Sequence, residues 1–126
     1  MDSRQFEARV KTAIQGLPHE FREKLDNIVV VVEDWASQEQ LKSVGLSDSM
    51  ELLGLYEGVP LTHRSRDHAW GTPDKITIFR RPILAICGSE EEVEDQIRET
   101  VIHEIAHHFG ISDEQIKLIE DERRGG

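Results

Sequence analysis

Two histidines four residues apart, with a glutamate directly after the first, limit what residues 103–113 can become. The segment reads His103-Glu104-Ile105-Ala106-His107-His108-Phe109-Gly110-Ile111-Ser112-Asp113. At about 100° per residue, His103 and His107 share one helical face. Val101, Ile102, Ile105, Ala106 and Phe109 fall on a broad arc roughly opposite. Such a helix is expected to bury most of its circumference and to hold out two imidazoles on what remains. Gly110 can take the backbone conformation that ends a helix and reverses the chain. Asp113 is then directed back toward the histidine face.

Capping signals set the bounds of that helix. Ser89 followed three residues later by Glu92 is a capping box, and the acidic run Glu90-Glu91-Glu92 complements the positive end of a helix dipole. The spacing predicts a helix from there to about Phe109. Ser112 with Gln115 is a second such pair, opening a last helix with Ile116 and Ile119 on one face. At the other end of the chain, Phe6, Val10 and Ile14 recur every four residues and predict an amphipathic helix over 3–15, capped by Asp2 or Ser3 and stopped at Gly16 and Pro18. Phe21 and Leu25 suit a short second helical turn.

Strand signals lie between these helices. Ile28 to Val32 are five consecutive β-branched residues, which suit a strand covered on both faces and central to a sheet. Leu52 to Glu57 reads as a second strand, in which Gly54 implies a bulge or a close approach by another backbone. Lys75 to Arg81 reads as a third, broken by Pro82, with Ile83 to Cys87 as a further short strand. Residues 35–44 read as a loop or a short helix around Gln40 and Leu41. Residues 62–74, with His63, His68 and Trp70, read as a surface loop.

With 126 residues and no long linker, residues 1–126 are expected to form one domain. The net charge of −10 argues against a sequence-independent grip on nucleic acid, which needs clustered Lys and Arg. Arg64, Arg66, Arg80 and Arg81 are expected as a solvated rim rather than a basic patch. The one cysteine, Cys87, excludes an intrachain disulfide and reads as a buried, inert thiol. No apolar leader follows Met1, and no run approaches the ~18 apolar residues that span a membrane. No membrane partner is expected, and the cytoplasm is the default location.

The chemistry of residues 103–113 follows from the donor types. Zinc accepts imidazole and carboxylate ligands, and a catalytic site uses three protein ligands with a fourth position for water. His103, His107 and Asp113 are the candidate metal ligands. Asp113 also stands where a first-turn acid is favoured by the helix dipole, and it can serve both roles. Glu104, beside the first ligand, is the candidate catalytic base toward a metal-activated water. His108 points about 100° away from His107 and is read as lying beside the site or at the surface.

The pattern His103-Glu104-x-x-His107-x-x-Gly110-x-x-Asp113 resembles the metzincin-like zinc motif with Asp as its last ligand. With Leu52 to Leu61, Pro73 to Arg80 and Val101 to Glu104, the chain is similar to the small bacterial zincin-like proteins described as minimal zincins, or possible zinc metallopeptidases. The resemblance implies an α+β fold: a small mixed β-sheet packed on helices, one of them the active-site helix. It implies Zn2+ as cofactor, with His103, His107 and Asp113 as its ligands and Glu104 as general base. It also implies a peptide or protein substrate whose strand pairs with a sheet edge. Met1 and Met50 both precede the motif, so a Met-containing turn beneath the metal is missing and the last helix is expected to close the site.

Three functions compete. The first is a zinc-dependent metallopeptidase. The second is a metal hydrolase of another class, such as an RNA-processing family with an H-x3-H-x5-H array; that array lacks the Glu, and Glu104 and the net charge argue against it. The third is a zinc-containing module that captures a strand without turnover. The sequence carries no signal of oligomeric state.

Overall fold

The computed structural model describes residues 1–58 and 73–125, with side chains as far as Asp121. His63, His68 and Trp70 lie outside the described residues, as do Arg64 and Arg66. The chain begins with α1 (Ser3–Gln15) and α2 (His19–Lys24), followed by a 3-10 turn at Leu25–Asn27. It continues with β1 (Ile28–Glu33), α3 (Gln38–Ser43), a 3-10 turn at Ser49–Glu51 and β2 (Gly54–Glu57). After the undescribed stretch come β3 (Asp74–Phe79), α4 (Arg80–Ile86), α5 (Glu90–Phe109) and α6 (Asp113–Gly125).

Local chemistry explains most of these bounds. Asp2 caps α1, accepting from the Gln5 N–H, while the Gln5 side chain accepts from the Asp2 N–H. Ser37 and Gln40 close the same reciprocal box at α3, the short helix expected near Gln40 and Leu41. α1 turns Phe6, Val10 and Ala13 inward and leaves its charged side in water.

The three strands of the described residues form a mixed sheet in the order β1-β3-β2. β1 runs parallel to β3, from Ile28 opposite Asp74 to Glu33 opposite Phe79. β2 runs antiparallel to β3, with Leu55 opposite Thr77 and Tyr56 opposite Ile76. β3 is therefore the central strand, and Ile76, Thr77, Ile78 and Phe79 are fully buried. The expectation that β1 is central and covered on both faces is overturned. Among the described residues β1 is an edge strand, partly exposed along its length, with Val29 44% exposed. A β-branched run favours extended backbone wherever it lies, and centrality depends on neighbours that such a run cannot specify.

Residues 83–87 are not a fourth strand. They fall in α4 and its C-terminal cap. Pro82 is the third residue of α4, where a backbone N–H has no intrahelical acceptor and its absence costs nothing. Cys87 is half-buried rather than fully buried, and burial pushes its thiol up, away from the thiolate form. Arg80 is not on a solvated rim. It is buried, with Nε donating to Asp34 Oδ1 at 2.8 Å and an Nη to the Met1 carbonyl at 2.8 Å.

One face of the sheet packs on α1 and α5, in a core built from Phe6, Val10, Phe21, Ile76, Ile78, Ile97, Val101 and Ile105. The other face carries a smaller cluster of Leu41, Leu52, Leu55 and Phe79. The architecture is α+β, a small mixed sheet packed on helices, as expected. Among the described residues no helix is long and apolar enough to cross a membrane.

Gly54 is a point of close approach between β2 and α5. A Cβ there would lie 2.5 Å from Thr100 Cγ2 and 3.3 Å from the Thr77 carbonyl oxygen. The pressing group on the helix is thus a side-chain methyl rather than the backbone expected from sequence. Gly54→Ala is expected to destabilise the protein by roughly 1–3 kcal/mol through overpacking. Adding Thr100→Ser, which removes Cγ2 and keeps the hydroxyl, is expected to recover most of that loss. Urea midpoints of the wild type, both single variants and the double variant measure the coupling; a double variant no more stable than Gly54→Ala alone would place the strain at Thr77 instead.

Candidate metal centre

α5 brings the motif to the surface on a well-fixed frame. Ser89 Oγ accepts from the Glu92 N–H at 3.2 Å, and the Glu92 carboxylate accepts from the Gly88 N–H at 2.7 Å, one residue earlier than in a reciprocal box. Val93, Ile97, Val101, Ile102, Ile105 and Ala106 are buried. Phe109, expected on that buried arc, is 47% exposed. As the last residue of α5 it extends beyond the core, with the Lys24 ammonium 5.0 Å above its ring.

At the end of α5, Gly110 has φ +70°, the left-handed region. The Gly110 and Ile111 N–H groups both return to the Ala106 carbonyl. Ser112 and Gln115 then exchange both capping bonds, at 2.8 and 3.1 Å. Asp113 becomes the first residue of α6. The reversal after the histidines is therefore made by a glycine whose φ an L side chain resists, followed at once by a capped helix.

Three α5 residues spaced by four meet three chain positions spaced by two. Thr100 lies against Gly54, Glu104 against Tyr56, and His108 against Tyr56 and Gly58. Four helical residues rise about 6 Å, and two strand residues about 6.6–6.8 Å. The two ladders therefore stay in step, and the β2 segment docks along one stripe of α5.

Glu104 is the middle rung. Its Oε1 accepts the Tyr56 backbone N–H at 2.9 Å. Phe79 donates its N–H to the Leu53 carbonyl, so the alternation of an antiparallel ladder turns the Tyr56 N–H away from β3. Burial pushes the Glu104 carboxyl above the usual carboxylic-acid range; the Tyr56 N–H, then His107 and His103, pull it part of the way back. On the last rung the Tyr56 and His108 rings stack, with centroids 3.9 Å apart and planes 13° apart. The Tyr56 hydroxyl donates to Asp74 Oδ2 at 2.5 Å.

His103 and His107 lie one turn apart on the exposed stripe beside this ladder. On the side away from β2, His103 and Asp113 line a cavity of about 310 Å³ with Ile116, Lys117 and Glu120. A neighbouring cavity of about 350 Å³ adds Arg98 and Glu99 to His103 and Glu120. Among the described residues no three His, Cys, Asp or Glu side chains are gathered as a metal cluster, so His103, His107 and Asp113 do not converge as they stand. Two imidazoles at this spacing on one exposed helix face are nonetheless of the donor type that zinc accepts. Sequence reasoning missed Tyr56 and Glu120 as neighbours of the site. Gly54 and Gly58, two residues either side of Tyr56, were a signal of a strand face pressed against another element.

A family model for zincin-like metallopeptidases matches residues 25–123, from the end of α2 into α6. The chain belongs to that family. A comparison with curated proteins finds none that matches. In a zincin-like metallopeptidase zinc is the usual metal, and the matched span of this one holds the whole sheet, α5 and the turn at Gly110.

The raised Glu104 carboxyl makes a testable demand on stability in the metal-free, chelated protein. A folded state that binds a proton more tightly than the unfolded chain is stabilised below the unfolded carboxyl range, and that stabilisation is lost as pH rises through the folded value. Glu104→Gln keeps an acceptor for the Tyr56 N–H and never ionises. It is expected to match the wild type in acid and to exceed it in urea midpoint at neutral pH. A constant gap between the two at every pH would show that Glu104 titrates as it does in the unfolded chain.

Proposed function

We propose that this chain is a zinc-dependent peptidase in which His103, His107 and Asp113 hold the metal and Glu104 is the general base. The observation that carries this reading is the placement of Glu104. It shares α5 with the two histidines and is held by one carboxylate oxygen to the β2 backbone. Oε2 is then the oxygen for proton transfer.

When bound, zinc supplies Lewis acidity, polarising a peptide carbonyl and acidifying water. The chain's own residues supply the rest. His103 and His107 present two imidazoles from a helix fixed by its core face. Asp113 adds a carboxylate from the start of α6, six residues after His107 and beyond the Gly110 turn. Glu104 takes a proton at Oε2 from the attacking water as the new C–O bond forms. It returns that proton to the amine as the C–N bond breaks. Partial burial of Glu104 suits both steps, because a carboxylate of raised proton affinity is a better base than a solvated one. The substrate class is a peptide or protein segment, lying in the strip between the β2 segment and α6 where the histidines are exposed.

Metal content and cleavage test the reading separately. Purified protein is expected to carry about one zinc per chain. Glu104→Gln is expected to keep the zinc and to lose about 10²–10⁴-fold in cleavage of labelled casein. His103→Ala is expected to lose the metal. Full zinc occupancy in Asp113→Ala would remove Asp113 from the ligand set. Zinc retained by a wild type that binds but never cleaves a broad peptide library would instead identify a metal-containing peptide-binding module.

A further inference from the structure

We infer that His108 is a positioning residue: by stacking on Tyr56 it holds the backbone N–H that in turn orients the Glu104 carboxylate. The inference rests on the general-base reading above, and concerns a residue which that mechanism leaves unused.

The geometry runs in one chain of contacts. The His108 ring lies 3.9 Å from the Tyr56 ring and almost parallel to it, at 13°. Offset or parallel stacking fixes a ring in both distance and tilt, which a lone aliphatic contact does not. The far end of the same tyrosine is fixed by its hydroxyl bond to Asp74 Oδ2. With ring face and hydroxyl both held, the Tyr56 Cα has little freedom, and its N–H meets Glu104 Oε1 at 2.9 Å. His108 is itself braced. The Phe109 ring meets it edge-on, with centroids 5.0 Å apart and planes 82° apart. A Cβ at Gly58 would lie 3.7 Å from His108 Cε1, so the chain just after β2 also packs on this ring.

Position on the helix separates His108 from the ligand pair. It lies four residues after Glu104, on the stripe that faces β2, whereas His103 and His107 occupy the stripe next to it; all three imidazoles are exposed, and His108 differs in having the Tyr56 ring on one face. The three adjacent polar residues 107, 108 and 104 thus divide into a ligand, a brace and a base. The stack needs a flat ring at position 108 and no particular charge.

The test is amide hydrogen exchange at Tyr56, read residue by residue by NMR, alongside zinc content and casein cleavage. In His108→Ala the Tyr56 amide is expected to exchange about tenfold faster than in the wild type, the loss of one aromatic pair. The Ile105 and Ala106 amides are expected to keep their protection, zinc content to stay at the wild-type level, and casein cleavage to fall. His108→Phe, which restores a stacking ring, is expected to return both Tyr56 protection and cleavage. His108→Leu keeps bulk without a flat ring; it is expected to behave like the alanine variant and serves where that variant does not fold. Unchanged Tyr56 exchange in His108→Ala or His108→Leu would overturn the inference. So would loss of zinc in either, which would make His108 a ligand. A wild type that holds zinc and cleaves nothing would remove the peptidase reading, while the exchange measurement still decides whether His108 positions Glu104.

Discussion

A hydrogen bond from the Tyr56 backbone to the Glu104 carboxylate joins the sheet to the site helix. Each partner needs the other. The Tyr56 N–H points away from β3, and a backbone donor withdrawn from water without an acceptor costs about as much as a lost hydrogen bond. The Glu104 carboxylate is partly buried and needs a donor there. Their pairing sets how close the β2 segment may lie to α5. That closeness explains Gly54, whose missing Cβ leaves room for Thr100, and the packing of Gly58 against His108. The histidine stripe then has a wall on one side and α6 on the other.

In the proposed mechanism the same bond links stability to chemistry. α5 is held from below by Ile97, Val101 and Ile105, all fully buried, each worth roughly 1.5–3 kcal/mol by burial. With the helix anchored in that way, the stripe above it can be given over to polar groups that contribute little to the core. Burial raises the proton affinity of Glu104, while the Tyr56 N–H and the two histidines limit the rise. A fully buried carboxylate would stay protonated and a fully solvated one would be a weak base. The intermediate position of Glu104 between strand and solvent places it between these limits.

A second long-range tie closes the other end of the sheet. Arg80, at the β3–α4 junction, reaches Asp34 after β1 and the carbonyl of Met1 before α1. The guanidinium holds the Asp34 carboxyl below its usual range. The Arg81 N–H adds a bond to the Asp34 carbonyl at 3.2 Å. One arginine thereby gathers the chain start, the end of the edge strand and the end of the central strand. A charged residue at this place reads as solvent-exposed until its partners, 46 and 79 residues away, are known.

The amino-acid sequence by itself determined what depends on short range. α1, the course of α5 and the Gly110 reversal are set by periodicity, caps and glycine, which act within a few residues. The His103–His107 face and the Glu beside it follow from helical geometry alone, and the membership of this chain among zincin-like metallopeptidases rests on the sequence match over residues 25–123. The tertiary structure decided which strand is central, because β3 becomes so only when β1 and β2 both pair with it. It turned residues 83–87 into the end of a helix and its cap, with Pro82 in the first turn of α4 rather than between two strands. It also chose the partner of Glu104, 48 residues away in the chain. A contact of that separation depends on the whole path of the backbone, so no local pattern around either residue could specify it.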